Sequence, residues 1–579
     1  MGNTTEVEKQ MQYVYYRQYG QTIYFRYKEY RDTVTHSDVI TDYEPTLYTP
    51  TPMTTGLTSI YGENVAPTTY PTIKAAREAA EKYRGMGAKV YGNPKAANQF
   101  VIDLYEGKPV DFNTDIIRIG FIDIEVDISR DSGFPFPEQA KRPINAITMF
   151  DTVDKKFYIW GLTRLDGQAF DPDNLQTEQA RETAKRYPIE YRHYTDEVAL
   201  IKNFLEHLRD QPLDYISGWN SETFDLPYIW YRCVKKVGQD FTESCLSPFG
   251  IVKTREKEGK YGKTYTDVEI FGTTHLDYLN VYRKFVLKPR ASYKLDDIAE
   301  VELDKQKISY DGTLFDLYEN DYQRFIEYNF IDVGLMVDID AKLKLFNIAF
   351  AVIYKTYCRP SDVLGTTGVW ESNIAGYLYA KNTVPLYFQL PSAKRPYEGA
   401  YVKEPIPGKY QYMISIDLNS LYPHLIKECK IGPETLVPRD RVPANMQHFM
   451  DYEVDDYVNQ LVDTSALKGT NYSLSPSGQL YDKSKECFLY DMMTETYGDR
   501  KIVKARGIKV HRNRRIALID EINRRRLDVT LNVKMDDTSF YYEDDASKLT
   551  DDQILAAYRF HAEEETKCDL LQHALKILN

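Results

Sequence analysis

The stretch that most constrains the fold is residues 413–423, which predict a strand, a turn and the start of a helix. Ile414, Ile416 and Leu418 alternate with polar residues, so they would share one face of that strand. Asp417 would lie where the strand ends and helical N–H groups begin, a setting in which a carboxylate can hold Mg²⁺ beside a phosphate. The alternative is an ordinary strand–helix turn with a solvated aspartate, which would be favoured if this stretch stood alone.

A second stretch, Ile119–Val126, also alternates and predicts a strand. Asp123 and Glu125 would lie together on one face of it, with apolar residues on the other. Two carboxylates side by side repel each other unless they share cations. An edge strand with a wet polar face is the alternative interpretation.

Two later segments also have patterns that predict regular structure. The first, residues 214–230, predicts a strand, a turn and a helix, and the second, residues 325–345, predicts one long helix. On that helix Tyr328 and Asp332 are four residues apart and share a face. The turn of the first segment contains three candidate residues: Asn220, Phe224 and Asp225.

In chain order these segments resemble the three motifs of the DnaQ-like 3′–5′ exonuclease domain of family B DNA polymerases: Asp-x-Glu, Asn-x₃-Phe-Asp and Tyr-x₃-Asp. The resemblance implies an RNase H-like fold and two-metal hydrolysis of DNA, with two Mg²⁺ ions per active site that Mn²⁺ can replace. Tyr328 would orient the attacking water, while Asn220 and Phe224 would contact DNA. The resemblance assigns four carboxylates to the metals: Asp123, Glu125, Asp225 and Asp332.

Residues 417–423 resemble motif A of the same family, Asp-x-x-Ser-Leu-Tyr-Pro. By that resemblance Asp417 is a catalytic metal ligand, and the backbone carbonyl of Leu418 binds the same metal pair. Tyr422 would lie under the sugar of the incoming deoxynucleoside triphosphate (dNTP) and exclude a 2′-hydroxyl. The nucleotide site implied by this motif comprises Leu418, Ser420, Leu421 and Tyr422.

Basic residues crowd residues 500–515, where the sequence predicts a helix. Arg500 and Lys504 would share a helical face and could clamp phosphates, as the first fingers helix of the family does. A second helix is predicted from about Thr550, and Lys576 near its end resembles the lysine that opens motif B and contacts the triphosphate. The later apolar stripe of this helix would lack its full packing partner around three residues: Leu571, Leu575 and Leu578.

Two further segments are candidates for contacts with DNA. The charged residues 253–263 include two glycines and predict a β-hairpin with an exposed tip, although a solvated loop is a serious alternative. By the resemblance this hairpin helps to separate the primer end from the template, and Lys257 and Lys260 would contact DNA. Tyr397 and Gly399 belong to a Tyr-x-Gly-Gly/Ala-like segment that touches the template in the family.

The resemblance covers the whole chain, is closest to T-even-phage-type replicative polymerases, and implies an α/β and α+β multidomain protein. A length of 579 residues suits several domains. The implied regions are an N-terminal domain, the exonuclease domain, a helical return to the N-terminal domain, a partial palm and partial helical fingers: residues 1–116, 117–343, 344–388, 389–486 and 487–579.

Parts of the family pattern are not found in this sequence: the Tyr-x-Asp-Thr-Asp motif with the second palm aspartate, most of motif B, and the thumb. The sequence therefore favours the N-terminal part of a split DNA-directed DNA polymerase with 3′–5′ exonuclease activity. Its expected partners are primer–template DNA, dNTP and a C-terminal polymerase fragment, which would also connect it to a sliding clamp. A truncated product, a free-standing 3′–5′ exonuclease with a structural palm remnant, and a non-catalytic nucleic-acid-binding protein are the alternatives.

Composition argues against zinc-binding or disulfide-rich proteins, membrane-spanning proteins and proteins that are basic all over. The six cysteines show no C-x-x-C spacing, which argues against a zinc site or a disulfide framework and fits a reducing cytoplasm, that of a host cell if the protein is viral. No apolar run approaches the roughly 18 residues that would predict a membrane span. The net charge of −13 argues against a protein that is basic all over, but local basic patches can still bind phosphates.

Overall fold

The computed structural model describes residues 11–29, 32–127, 135–163, 169–258, 264–286, 288–387, 402, 404–416, 418, 420–529, 535, 539–543 and 545–578. The chain divides into two units. Unit 1 comprises Met1–Pro45, Thr69–Arg77 and Lys95–Gly376, and unit 2 comprises Thr46–Thr68, Glu78–Pro94 and Tyr377–Asn579. None of the helices in the described ranges is both long enough and apolar enough to cross a membrane.

The strands in chain order are β1 (Met11–Tyr19), β2 (Thr22–Glu29), β3 (His36–Ile40), β4 (Thr46–Pro50), β5 (Thr58–Ser59), β6 (Val65–Thr69), β7 (Ile119–Val126), β8 (Ile144–Asp151), β9 (Lys156–Leu162), β10 (Ile189–Tyr194), β11 (Tyr215–Ser217), β12 (Val252–Glu258), β13 (Thr264–Ile270), β14 (Thr274–His275), β15 (Thr383–Val384), β16 (Tyr472–Leu474) and β17 (Leu480–Asp482).

The α-helices are α1 (Ile73–Gly85), α2 (Ala96–Leu104), α3 (Glu178–Arg186), α4 (Glu197–Asp210), α5 (Asp225–Val237), α6 (Gln239–Leu246), α7 (Tyr278–Phe285), α8 (Leu295–Leu303), α9 (Leu314–Asn320), α10 (Tyr322–Leu343), α11 (Leu345–Thr356), α12 (Thr367–Ala380), α13 (Leu421–Cys429), α14 (Val454–Val458), α15 (Phe488–Ile502), α16 (Lys509–Arg525) and α17 (Asp551–Ile577). A π-helix, Val503–Ile508, joins α15 to α16.

A six-stranded sheet in unit 1 has the strand order β10-β9-β8-β7-β11-β14. Strand β7 lies inside this sheet, antiparallel to β8 and parallel to β11. The prediction of a strand at Ile119–Val126 is therefore confirmed, and the alternative of an edge strand is wrong because both edges of β7 are paired.

Apolar residues of the sheet and of helices α4, α5 and α6 form a hydrophobic core in unit 1. Ile124 of β7 and Ile147 of β8 share this core with Phe204 of α4 and Ile229 of α5. Full burial of each such side chain contributes about 1.5–3 kcal/mol relative to exposure. Helix α10 contacts β7 and β8 as well, so it covers part of the sheet.

Helix α11 packs against β1, as the predicted helical return to the N-terminal residues requires. The Tyr13 hydroxyl donates a hydrogen bond to the Ile353 carbonyl at 3.0 Å. The Tyr354 hydroxyl donates in return to the Tyr13 carbonyl at 2.8 Å. Two buried phenols that satisfy backbone carbonyls hold this segment in place.

In unit 2, α16 and α17 pack against each other. Leu518 and Ile522 of α16 share a core with Ile554 of α17. Thr550 accepts a hydrogen bond from the Gln553 backbone N–H at 3.3 Å, so the predicted start of the second helix is confirmed.

The expectation of an exposed stripe late in α17 is wrong for two of its three residues. Leu575 and Leu578 are each only 2% exposed, whereas Leu571 is 38% exposed. Helix α17 contacts α15 and the π-helix, and these neighbours supply the packing that the sequence pattern could not indicate.

The prediction of a strand within residues 413–423 is wrong for the residues of this segment that the structure describes. Residues 413–416 and Leu418 are irregular, and Ile414 and Ile416 are 85% and 82% exposed. Alternation decides which side chains would share a face, but a strand also needs a partner for its backbone groups, and no strand in the described part of the chain pairs with this segment. The helix predicted to follow does form, as α13.

Candidate active site

Carboxylates from two elements of unit 1 converge beside the middle of the six-stranded sheet. Asp123 and Glu125 come from β7, and Asp332 comes from α10. One carboxylate oxygen of each residue lies within 4.8 Å of those of the other two. Alternation along β7 places the first two on the same face, and α10 brings the third to it.

A fourth carboxylate, Asp225, joins this group from the start of α5. Its Oδ1 accepts a hydrogen bond from the Ile124 backbone N–H at 3.2 Å, which places it beside β7. Gly218, just after β11, lets the chain before α5 approach β7 closely, since a Cβ there would lie 2.6 Å from the Ile122 carbonyl oxygen. The structure thus brings together all four carboxylates singled out by sequence, an arrangement we call the acidic cluster.

Lys307 lies among these carboxylates, although the sequence did not indicate it. Its ammonium group forms an ion pair with Asp332 Oδ2. The same Nζ lies 3.5 Å from the Tyr328 hydroxyl and 5.3 Å from the centroid of that ring. Lys307 belongs to an irregular stretch between α8 and α9, where no spacing or periodicity marks it for a site.

A chain of hydrogen bonds fixes the orientation of Asp123. The Asn329 side-chain amide donates to Asp123 Oδ2 at 2.6 Å, and the Thr148 hydroxyl donates to Asn329 Oδ1 at 2.5 Å. Thr148 lies directly across from Asp123 in the β7–β8 register. Neither residue was predicted, because only the antiparallel register and the packing of α10 bring them to the aspartate.

Burial and mutual repulsion shift the titration of the acidic cluster. Burial, followed by the neighbouring Asp225 and Glu125, raises the pKa of Asp123 well above its usual value. Burial and the charge of Asp332 raise the pKa of Glu125 to about 8. Burial raises the pKa of Asp225 to about 7. The single positive charge of Lys307 therefore does not offset the burial of these carboxylates and the repulsion among them.

The chemistry of this donor set fits divalent cations. Asp332 Oδ1 is buried and has no hydrogen-bond partner within the described ranges. An unpartnered buried carboxylate oxygen is unfavourable unless a cation satisfies it. Hard cations such as Mg²⁺ and Mn²⁺ prefer oxygen ligands of this kind. Four residues could hold them: Asp123, Glu125, Asp225 and Asp332.

Asn220 and Phe224 lie in the turn between β11 and α5. Asn220 is exposed and has a left-handed backbone with φ of 64°, and its N–H donates to Asp277 Oδ1 at 3.2 Å. The Phe224 ring is half-buried and lies 5.5 Å from the Tyr228 ring. Phe224 directly precedes Asp225 in the chain, whereas Asn220 lies five residues before it and faces solvent.

Strands β12 and β13 form the predicted hairpin, so the alternative of a solvated loop is wrong for residues 252–258 and 264–270. The tip, including Lys260, lies outside the described residues. Lys257 Nζ lies 2.9 Å from Glu222 Oε1 and 3.0 Å from Asp267 Oδ1. This lysine is thus engaged within the protein.

The structure describes only some of the residues that were predicted to contact the template or to belong to motif A. Asp417, Tyr397 and Gly399 lie outside the described residues. Ser420 has a left-handed backbone with φ of 52° and precedes α13. The remaining predicted residues of motif A are exposed: Leu418 at 62%, Leu421 at 42% and Tyr422 at 70%.

The predicted phosphate-binding residues of unit 2 lie on its helices. Arg500 is in the last turn of α15, Lys504 in the π-helix and Lys576 in the last turn of α17. The prediction of a helix across residues 500–515 is confirmed, and the π-helical segment Val503–Ile508 lies within it. Within the described ranges, no hydrogen bond or ion pair joins these three side chains to one another.

Two family models match the chain. One, "DNA polymerase family B, exonuclease domain", matches residues 98–298, which include Asp123, Glu125 and Asp225. The other, "DNA polymerase family B", matches residues 374–533. Together they cover more than half of the sequence.

Several curated proteins are similar to this chain. A DNA-directed DNA polymerase of Escherichia phage RB69 is 29% identical over 515 residues, which are 86% of this chain and 54% of the relative. A DNA-directed DNA polymerase of Enterobacteria phage T4 is 29% identical over 468 residues, 79% of this chain and 50% of the relative. A DNA polymerase catalytic subunit of human herpesvirus 8 is 29% identical over 265 residues, 44% of this chain and 26% of the relative.

The chain therefore spans about half the length of the two phage relatives. Both family models and all three relatives are described as DNA polymerases or as parts of them. The chain belongs to the family B DNA polymerases and contains the exonuclease domain of that family.

Proposed function

We propose that this chain is a 3′–5′ DNA exonuclease of the proofreading type, with an RNase H-like fold around the acidic cluster. The observation that carries the proposal is the approach of Asp123, Glu125 and Asp332 within 4.8 Å, with an unpartnered oxygen on Asp332. A role in core packing does not explain why three like-charged carboxylates, one buried and two half-buried, lie this close together.

Each residue would have a distinct part in this reaction. Asp123, Glu125 and Asp332 would hold one divalent cation, and Asp123 and Asp225 would hold the other. Two such cations, when bound, activate water and stabilise the negative charge that develops at the phosphorus. The Tyr328 hydroxyl would orient the attacking water, and Lys307 would limit the charge repulsion around Asp332.

The test is degradation of single-stranded DNA that carries a label at its 5′ end, in Mg²⁺ and in Mn²⁺. We expect a ladder of products shortened from the 3′ end, and no products in the presence of a chelator. The double variant Asp123→Ala/Asp332→Ala should lose the ladder. Cleavage that continues in this variant would mean that the acidic cluster is not the nuclease site.

We also propose that the chain supplies part of a nucleotidyl-transfer site, with Asp417 and Leu418 as metal ligands and Tyr422 under the incoming sugar. Membership of the polymerase family and the match over residues 374–533 support this proposal. Phosphoryl transfer by two cations needs more than one carboxylate. A second aspartate, the rest of motif B, the thumb and a clamp contact would come from polypeptide outside residues 1–579, such as a C-terminal polymerase fragment.

Primer extension tests the second proposal. The chain would be assayed alone and together with a polypeptide that carries Tyr-x-Asp-Thr-Asp, with primer–template DNA and dNTP. We expect synthesis only in the mixture, its loss in Asp417→Ala, and incorporation of ribonucleotides in Tyr422→Ala. Efficient extension by the chain alone would refute the need for a second polypeptide.

We also propose the division into regions that the sequence resemblance implies: residues 1–116, 117–343, 344–388, 389–486 and 487–579. The two phage relatives support a proposed site of action in the cytoplasm of a host cell. Limited proteolysis would test the division, since cleavage should concentrate near residues 388 and 486.

A further inference from the structure

A cavity of about 580 Å³ lies in unit 1, between the base of the β12–β13 hairpin, α7 and residues 359–364. Pockets of roughly 300–1,000 Å³ are typical of sites for small ligands. None of the four carboxylates of the acidic cluster lines this cavity. The cavity is therefore separate from the proposed nuclease site.

The carboxylates on the cavity wall are already satisfied inside the protein. Asp277 accepts hydrogen bonds from backbone N–H groups at the start of α7. The others form ion pairs: Glu222 and Asp267 with Lys257 at 2.9 and 3.0 Å, Glu269 with Arg17 at 3.0 Å, and Asp362 with Arg359 at 2.6 Å. Their negative charge is thus largely compensated by cations of the chain itself.

Two cations on the wall lack such compensation. Arg283 and Lys284 occupy the last turn of α7, and neither forms an ion pair with any described residue. Arg283 stacks against the Tyr293 ring, 4.7 Å from its centroid. Lys284 is half-buried, and burial lowers its pKa. The cavity wall holds as many carboxylates as cations, and Arg283 and Lys284 are the two of these cations that are left to pair with a ligand.

Polar atoms of three other wall residues are buried and have no hydrogen-bond partner among the described residues. They are the Thr274 hydroxyl, the Tyr15 hydroxyl and Arg359 Nε. Thr274 is only 2% exposed and Tyr15 only 5% exposed. The Gly272 peptide is near the Tyr15 hydroxyl but does not make a well-formed hydrogen bond with it. Unsatisfied buried donors destabilise a fold unless something else, here a ligand, accepts their hydrogen bonds.

We propose that this cavity binds a small organic phosphate monoester. A phosphate monoester presents three strong acceptor oxygens, whereas a carboxylate presents two. Thr274, Tyr15 and Arg359 line the cavity, and each has an unpartnered polar atom that could donate a hydrogen bond to such an oxygen. Arg283 and Lys284 balance its charge. Val268, Ile270 and Leu364 provide apolar wall for the organic part of the ligand.

The experiment is titration calorimetry on the whole chain in a chelating buffer, which keeps the acidic cluster free of cations that would recruit phosphate. Ribose 5-phosphate, inorganic phosphate and unphosphorylated ribose are the probes. The variants are Lys284→Ala and Thr274→Val, with Lys288→Ala as a matched control because that lysine is exposed and does not line the cavity. Thermal unfolding is followed for every combination.

We expect ribose 5-phosphate to bind saturably and to raise the melting temperature of the wild type and of Lys288→Ala. Binding should weaken about ten-fold or more in Lys284→Ala and Thr274→Val, and ribose should not bind. Without a probe, Thr274→Val should melt no lower than the wild type, because valine removes an unsatisfied hydroxyl and keeps the shape.

Three results would overturn the proposal. One is the failure of ribose 5-phosphate to bind the wild type below about 10 mM. Another is binding that is unchanged in both cavity variants. The third is equal affinity for inorganic phosphate and for ribose 5-phosphate, since the cavity would then recognise a free anion and not an organic ester.

Discussion

Strand β7 and residues 413–418 carry similar alternations of apolar and polar residues, yet they have opposite environments. Ile122 and Ile124 of β7 are 5% and 4% exposed, whereas Ile414 and Ile416 are 85% and 82% exposed. Strand β7 has β8 and β11 on its two edges. Residues 413–416 and Leu418 have no strand beside them within the described part of the chain.

The difference shows what alternation can and cannot specify. It specifies which side chains share a face, and this was right for Asp123 and Glu125. Burial depends on neighbours from distant parts of the sequence, which for β7 are two strands and α10. The raised pKa values of the acidic cluster follow from that burial, so the electrostatics of a site cannot be deduced from the strand alone.

The largest expected effect is on exonuclease activity, which should depend on Asp123 but not on Asp417. Asp123→Ala should lower exonuclease activity by roughly 10³-fold or more, because this residue would hold both cations. Asp417→Ala should leave degradation of single-stranded DNA unchanged. Single-turnover cleavage of an end-labelled oligonucleotide measures both variants. Equal losses would mean that the two regions serve one reaction.

A core substitution in the sheet has the next largest effect. Ile147→Ala should lower the free energy of unfolding by about 2–5 kcal/mol, because Ile147 is fully buried between β7 and its helices. Urea titration followed by circular dichroism gives the value. A loss below about 1 kcal/mol would show that the core of unit 1 can close around the missing side chain.

The hydrogen bonds behind Asp123 should matter less than the carboxylate itself. Asn329→Leu removes the amide that orients Asp123, and activity and Mg²⁺ affinity should fall about 10–100-fold. Asn320→Leu is the control, since Asn320 is exposed on α9 and lies outside the acidic cluster. If extra Mg²⁺ restores full activity in Asn329→Leu, the amide acts through metal affinity; if neither variant changes activity, Asn329 has no positioning role.

The pH dependence of the cation-free protein tests the crowding of carboxylates. The pKa of Glu125 rises from 4.5 to about 8, so the folded state binds more protons than the unfolded state between these values. Stability in a chelator should therefore fall as pH rises through that window, and Glu125→Gln should reduce the slope. Added Mg²⁺ should restore stability at the alkaline end. A melting temperature that rises from about pH 5 to pH 8 in chelator would contradict the raised pKa.

The sequence was sufficient to predict the strand and the helices that carry the acidic cluster. It was not sufficient to predict which residues surround that cluster. Spacing placed Tyr328 and Asp332 on one helix, and α10 has that form. Lys307 could not be predicted, because its position depends on how an irregular stretch folds back on α10. Thr148 was likewise hidden, since its place opposite Asp123 is a matter of strand register. The burial of Leu575 could not be predicted either, because it depends on neighbouring helices that the pattern of α17 does not indicate.

The smallest expected effect belongs to the exposed segment. Ile414→Ala should change the free energy of unfolding by no more than about 0.5 kcal/mol, because a side chain that is 85% exposed has little burial to lose. Urea titration beside Ile147→Ala makes the comparison direct, since both changes remove the same atoms and differ only in environment. A loss of about 2 kcal/mol or more for Ile414→Ala would mean that this side chain is buried in solution. It would then follow that Ile414 packs against another part of the chain, as Ile124 of β7 does.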